Sequence, residues 1–164
     1  MLMTAPGFVA TEADGTAVWY MESLMTVLAS ADDTDGKFGV LEVRAKPGMA
    51  GPLHIHHKHD EAFYVLEGRV KARCGDDVHE CGPGSFIWLP RGVPHQVNAV
   101  GDIEVRMLEF SLPGGIEAFH REAGVPAETR TVPPVSVRPD MDELRRLAAK
   151  YDVEIVGPPP AQAG

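Results

Sequence analysis

The chain has 164 residues, 44% hydrophobic and 24% charged, which is ordinary for one soluble globular domain with a single sizeable core. Its net charge of −9 argues against nucleic acid and anionic membrane as partners, because both need clustered Lys and Arg. No apolar run is long enough to span a bilayer, and the N-terminus MLMTAPGFVATEADG lacks a basic segment followed by an apolar one, so the reading is a cytoplasmic protein.

Residues 1–15 read as a loose arm ending in an Asp14-Gly15 turn. Thr16 to Tyr20 and Leu24 to Leu28 are short β-prone runs, and the polar stretch 30–36 forms a turn. Lys37 to Lys46 reads as a longer strand, ended by Pro47-Gly48. Leu53 to His56 and Glu61 to Leu66 are the next strands, joined through His57, Lys58, His59 and Asp60. Arg69 to Cys74 pairs back with Val78 to Cys81. Ser85 to Leu89, Val93 to Val100 and Ile103 to Leu112 complete the strands, each bounded by Gly, Pro or Asp turns. By alternation Ile103, Val105 and Met107 point inward, while Glu104 and Arg106 point out. About ten short strands at this spacing are the pattern of a sandwich or barrel. The 17 Gly and 14 Pro fit its many tight turns.

Two helices follow. Gly115 to Ala123 puts Ile116, Phe119 and Ala123 on one face, with Gly124 as a natural stop. Asp140 to Tyr151 starts with Asp140 and Glu143 in capping-box spacing and carries an apolar stripe of Met141, Leu144, Leu147, Ala148 and Tyr151. The Pro-rich segment 125–139 reads as an extended wrap around the barrel or a neighbouring subunit. The domain plan is therefore an arm at 1–15, a barrel at 16–112, helices and wrap at 113–157, and a disordered tail at 158–164.

The two cysteines, Cys74 and Cys81, flank a hairpin turn near Gly75. That register sets Cys81 opposite residue 70 or 72, too far from Cys74 for a direct disulfide. Both read as reduced structural thiols.

The chemistry is concentrated between Gly48 and Gly68, in GMAGPLHIHHKHDEAFYVLEG. His54 and His56 are two apart, so on a strand they share a face. The turn at 57–60 brings Glu61 back beside them. Two imidazoles and a carboxylate from one hairpin are three ligands of a divalent metal site. His57 and His59 alternate with that pair and belong to the turn. Choosing them instead fails, because only Asp60 separates His59 from Glu61. His79 and His120 read as surface residues, and Glu42, Glu67 and Glu109 as strand-end or exterior charges. Phe63, Val65, Phe86, Trp88, Val97 and Met107 are expected to face inward. Of these, Phe63, Phe86, Trp88, Val97 and Met107 are the candidate pocket walls. Tyr64 and Phe119 are candidate rim residues, with core packing as the alternative.

Two spacings now stand out: Gly48, His54, His56, Glu61 and Gly68, then Gly84, Pro90, Gly92 and His95. At these positions the chain resembles the cupin superfamily. The family's second motif ends in an Asn four residues after the His; here that position is Ala99, and Asn98 comes one early. The resemblance implies an all-β, double-stranded β-helix (jelly-roll) barrel with one or two C-terminal helices. It also implies one divalent transition metal (Fe, Ni, Co, Mn, Cu or Zn) on His54, His56, Glu61 and His95.

The segments GPLHIHHKHDEAFYVLEG, GPGSFIWLPRGVPHQV and LPGGIEAFHREAGVPA further resemble single-domain bacterial cupins of the quercetin 2,3-dioxygenase type. What this implies is opening of a flavonol's central ring with dioxygen and release of carbon monoxide. Glu61 would be the catalytic residue, taking the proton of the 3-hydroxyl. The partners would be a small apolar or aromatic substrate and O2. The alternatives are another metal-dependent cupin enzyme, such as an isomerase, epimerase or decarboxylase, or a non-catalytic metal- or small-molecule-binding cupin. The N-terminal arm and the 125–139 segment are candidates for exchange across a homodimer.

Overall fold

The computed structural model describes residues 6–158, so the expected tail lies outside the described residues beyond Pro158. Ten strands come first: β1 (Ala17–Tyr20), β2 (Ser23–Ala29), β3 (Gly39–Ala45), β4 (His54–His56), β5 (Asp60–Glu67), β6 (Arg69–Cys74), β7 (Asp77–Cys81), β8 (Phe86–Leu89), β9 (His95–Val100) and β10 (Val105–Leu112). Helix α1 (Ile116–Ala123), strand β11 (Val125–Pro126), helix α2 (Met141–Lys150) and strand β12 (Val153–Ile155) follow. They build two antiparallel sheets, ordered β11-β1-β2-β3-β10-β5-β8 and β12-β4-β9-β6-β7. This is the jelly roll.

Alternation decides what enters the core. On β10 the buried residues are Val105, Met107, Glu109 and Ser111. Met107 pairs with Val65 on one side and Val43 on the other, so three inward side chains form a row. From the second sheet Val70, Ala72 and Ala99 join the same core, and Ile116, Leu144 and Ala148 of the helices close it. Asp140 caps α2, accepting from the backbone N–H of Asp142 and Glu143 at 3.0 and 3.1 Å. The β6–β7 register sets Cys81 opposite Val70, as the hairpin spacing predicts.

Several expectations are corrected. Phe86 and Trp88 face outward, 64% and 49% exposed, while Ile87 and Leu89 fill the core. The run Phe86–Leu89 is apolar throughout, so its own pattern sets no phase. Pairing of Leu89 with Glu61 and Ile87 with Phe63 sets it instead. Ile103 lies before β10 and is exposed. Glu42 is buried rather than exterior, because Arg106 covers it with two hydrogen bonds of 3.1 and 3.0 Å.

The 125–139 segment runs along the edge of its own barrel. β11 pairs with β1, Val137 bridges Met21, and the Trp19 indole N–H donates to the Thr131 carbonyl at 2.8 Å. Strand β12, which sequence periodicity does not reveal, pairs with β4. No helix among the described residues is long and apolar enough to cross a membrane.

The turn glycines differ in what they exclude. Gly68 has φ +76 and a Cβ there would meet the Glu104 carbonyl oxygen at 2.8 Å, whereas Gly48 has φ +79 and open space. Left-handed backbone alone costs an L-residue about 1–2 kcal/mol. Gly48→Ala is therefore expected to lose about that much stability, and Gly68→Ala more than about 2 kcal/mol because backbone must also move. Urea denaturation of the two variants reads the difference.

Candidate metal centre

Strand β4 is three residues long and carries His54 and His56 on one face. The first residue of β9, His95, pairs directly with His54. Glu61 enters from β5, next to the turn after β4. The four side chains each offer a ligand atom, and those atoms all lie within 4.8 Å of one another. His56, Glu61 and His95 are buried, and His54 is partly open. The rings of His56 and His95 stack at 5.2 Å with an interplanar angle of 8°, and His54 meets both edge-on.

Backbone groups hold this arrangement. Pro52 and Val93 carbonyls accept from Nδ1 of His54 and His95 at 2.9 and 3.0 Å, which in a neutral ring leaves Nε2 as the lone-pair nitrogen. The N–H of Gly92 donates to the His56 carbonyl at 2.8 Å and ties the second motif to β4. On the other edge of β4, β12 pairs Val153 with His56 and Ile155 with His54.

The donors fit a divalent ion. Both nitrogens of His56 are buried with no hydrogen-bond partner. His95 faces acceptors at both nitrogens, the Val93 carbonyl and, at 3.0 Å, a Glu61 oxygen. A neutral imidazole has one N–H, so His95 needs either a second proton or a cation beside Nε2. Burial disfavours its imidazolium, but the hydrogen bond and charge of Glu61 outweigh this and raise its pKa. His54 is pushed down to about 3, by burial first and then by His95 and His56, so it stays neutral. Burial pushes the Glu61 carboxyl up, yet His56 and His95 hold it well below the usual carboxylate range. Neutral imidazoles and an ionised carboxylate are the ligand forms a transition metal requires.

The neighbouring histidines stay apart. His57 is exposed and meets Glu154 at 2.9 Å across the β4–β12 edge. His59 sits in the turn, its ring 6.2 Å from that of His56.

A cavity opens from the cluster into the barrel. Phe63, Val97 and Met107 line it. Phe86 and Trp88 do not, because they lie on the outer face. Phe119, a candidate rim residue, also lines it, while the sequence does not mark several other wall residues: Tyr20 and Ser23 from β1 and β2, Glu109 from β10, and Ile116 and His120 from α1. Glu109 and His120, expected outside, are buried and joined by a 3.2 Å hydrogen bond. Two signals could have found them. The inward period of Val105 and Met107 continues to Glu109, and His120 is four residues after Ile116, on the same helix face.

Comparison with known proteins agrees with this geometry. The cupin domain family matches residues 41–111. The chain is 26% identical over 153 residues to a quercetin 2,3-dioxygenase of Bacillus subtilis, covering 92% of this chain and 44% of that protein. It is 31% identical over 77 residues to an uncharacterized protein of Methanocaldococcus jannaschii, covering 47% of this chain and 62% of that one. The chain thus spans less than two thirds of the length of these curated relatives. Among solved structures, KdgF from a Halomonas species superposes with a TM-score of 0.60 at 18% identity, over 69% of this chain and 99% of that one. The fold is the jelly-roll cupin fold, and the matches support the cupin superfamily for this chain.

The expected behaviour is uptake of one divalent transition ion per chain. Metal analysis after dialysis should find about one equivalent in the wild type and, for His56→Ala, less than a tenth of that. At free metal about a hundred times the Kd, loading should stabilise the protein by about 2.7 kcal/mol, seen as a higher Tm that chelation reverses.

Proposed function

We propose that the chain is a metal-dependent dioxygenase that opens the central ring of a quercetin-like flavonol with O2 and releases carbon monoxide. The observation that carries this is a donor set of three imidazoles and one carboxylate at the end of an apolar, aromatic cavity. Likeness to the Bacillus subtilis quercetin 2,3-dioxygenase over 92% of the chain supports the same reading.

His54, His56, Glu61 and His95 would hold the ion, any of Fe, Ni, Co, Mn, Cu or Zn. A bound divalent ion supplies a Lewis acid that favours the ionised form of the flavonol's 3-hydroxyl. The chain supplies the rest. Glu61 is ionised, so it is in the form that accepts the 3-hydroxyl proton on a carboxylate oxygen. Its neighbours fix where that oxygen points, since His95 and His56 approach opposite oxygens at 3.0 and 3.5 Å. Phe63, Met107 and Phe119 give flat apolar surface to an aromatic ring and exclude water from it. Among the described residues the cavity wall contains no Lys or Arg, which disfavours the anionic sugar or hydroxy-acid substrates of other cupin enzymes.

Metal-loaded protein should bleach the visible band of a flavonol with release of CO. Glu61→Gln removes the acceptor and should lower kcat by about 10²–10⁴-fold, while leaving measurable metal on the three imidazoles. Absence of turnover with every flavonol under every reconstituted metal would end this reading.

A further inference from the structure

Among the described residues, two polar atoms of the cavity wall outside the His54–His56–Glu61–His95 cluster have no partner. Ser23 Oγ and His120 Nδ1 are buried without a hydrogen bond, in residues only 1% and 8% exposed. Buried polar atoms are rarely left this way, and here both belong to residues that face one cavity.

They belong to one patch. Tyr20 pairs directly with Ser23 across β1 and β2, and its ring lies 5.4 Å from that of His120. His120 Nε2 donates to Glu109 at 3.2 Å. All four residues line the cavity. Glu109 is opposite Phe63 and Ser111 is opposite Glu61, so Glu109 and Glu61 are diagonal neighbours on one face of the sheet. The patch therefore begins one step from the metal cluster and crosses the otherwise apolar wall to α1 and β1.

The chemistry of the two unpaired atoms selects a ligand group. With Nε2–H given to Glu109, a neutral His120 presents Nδ1 as an acceptor; the imidazolium presents it as a donor. Ser23 Oγ can also do either. A hydroxyl meets both atoms in both states. A ketone or ether oxygen meets only a donor. Burial disfavours the imidazolium of His120, but Glu109 outweighs it and raises the pKa, so a proton stays within this pair.

We propose that Ser23, His120 and Glu109 form a second binding subsite that reads a hydroxyl of the aromatic ligand, on a part of that ligand remote from the oxygen presented to the metal cluster. This deepens the dioxygenase reading and rests on it for the aromatic class. The subsite would make the protein select polyhydroxylated over bare flavonols. Ser23 and His120 would contact the ligand, and Glu109 would position His120.

Equilibrium binding to metal-loaded protein without oxygen tests this, using quercetin and 3-hydroxyflavone, which lacks the extra hydroxyls. The wild type should bind quercetin about tenfold tighter or more, the worth of roughly one buried hydrogen bond. His120→Phe and the milder Ser23→Ala should each cut that ratio by about threefold or more. Glu109→Gln keeps a hydrogen-bond acceptor for His120 and should largely preserve the ratio. A wild-type ratio near one, a ratio unchanged in both His120→Phe and Ser23→Ala, or no binding of either compound overturns the proposal. Selective binding without CO release would remove the dioxygenase reading and leave the subsite standing. CO release without selectivity would do the reverse.

Discussion

The structure depends on how the barrel holds one buried carboxylate. Glu61 is only 4% exposed, and burying a lone carboxylate is strongly unfavourable. Its charge is kept by His56 and His95, which approach its two oxygens. That pairing leaves His56 with two bare nitrogens and His95 with acceptors on both sides. A divalent cation among the four ligand atoms would answer all three needs at once. It would neutralise the carboxylate, satisfy a His56 nitrogen and take the place of the extra proton at His95.

The rest of the fold can be understood as support for that point. Strand β4 is short, and it is fixed from three sides: by β9 through the His54–His95 pair, by the Gly92 N–H on the His56 carbonyl, and by β12 along its free edge. On β5 Glu61 shares its face with Phe63 and Val65, and on β10 Ser111 shares its face with Glu109 and Met107, so the two strands carry the face of the cluster into the core and the cavity. The helices then close the cavity with Ile116, Phe119, His120 and Ala148. The result is a cavity with polar groups at the metal cluster and along one wall, and apolar side chains between.

The fold class and the four clustered residues were legible in the sequence for physical reasons. His54 and His56 share a face by the period of a strand, and a four-residue turn returns Glu61 to them. His95 needed the spacing of a second motif and its family resemblance, since nothing local joins it to β4. The phase of Phe86 and Trp88 is not legible locally, because Phe86–Leu89 is apolar on both faces and only pairing with β5 chooses between them. For Glu42 and Glu109 the sequence offers only the general rule that a charge lies outside. Each is buried against a partner distant in sequence, Arg106 for one and His120 for the other. The cavity walls from α2 and β12 are tertiary features that no local pattern states.

X-ray absorption of the zinc-loaded protein tests the central claim most directly. Three imidazole nitrogens and one carboxylate oxygen predict a first shell of N and O scatterers at about 2.0–2.2 Å, with the multiple-scattering signature of three imidazoles. A shell containing sulfur near 2.3 Å, or one with no imidazole signature, would contradict it.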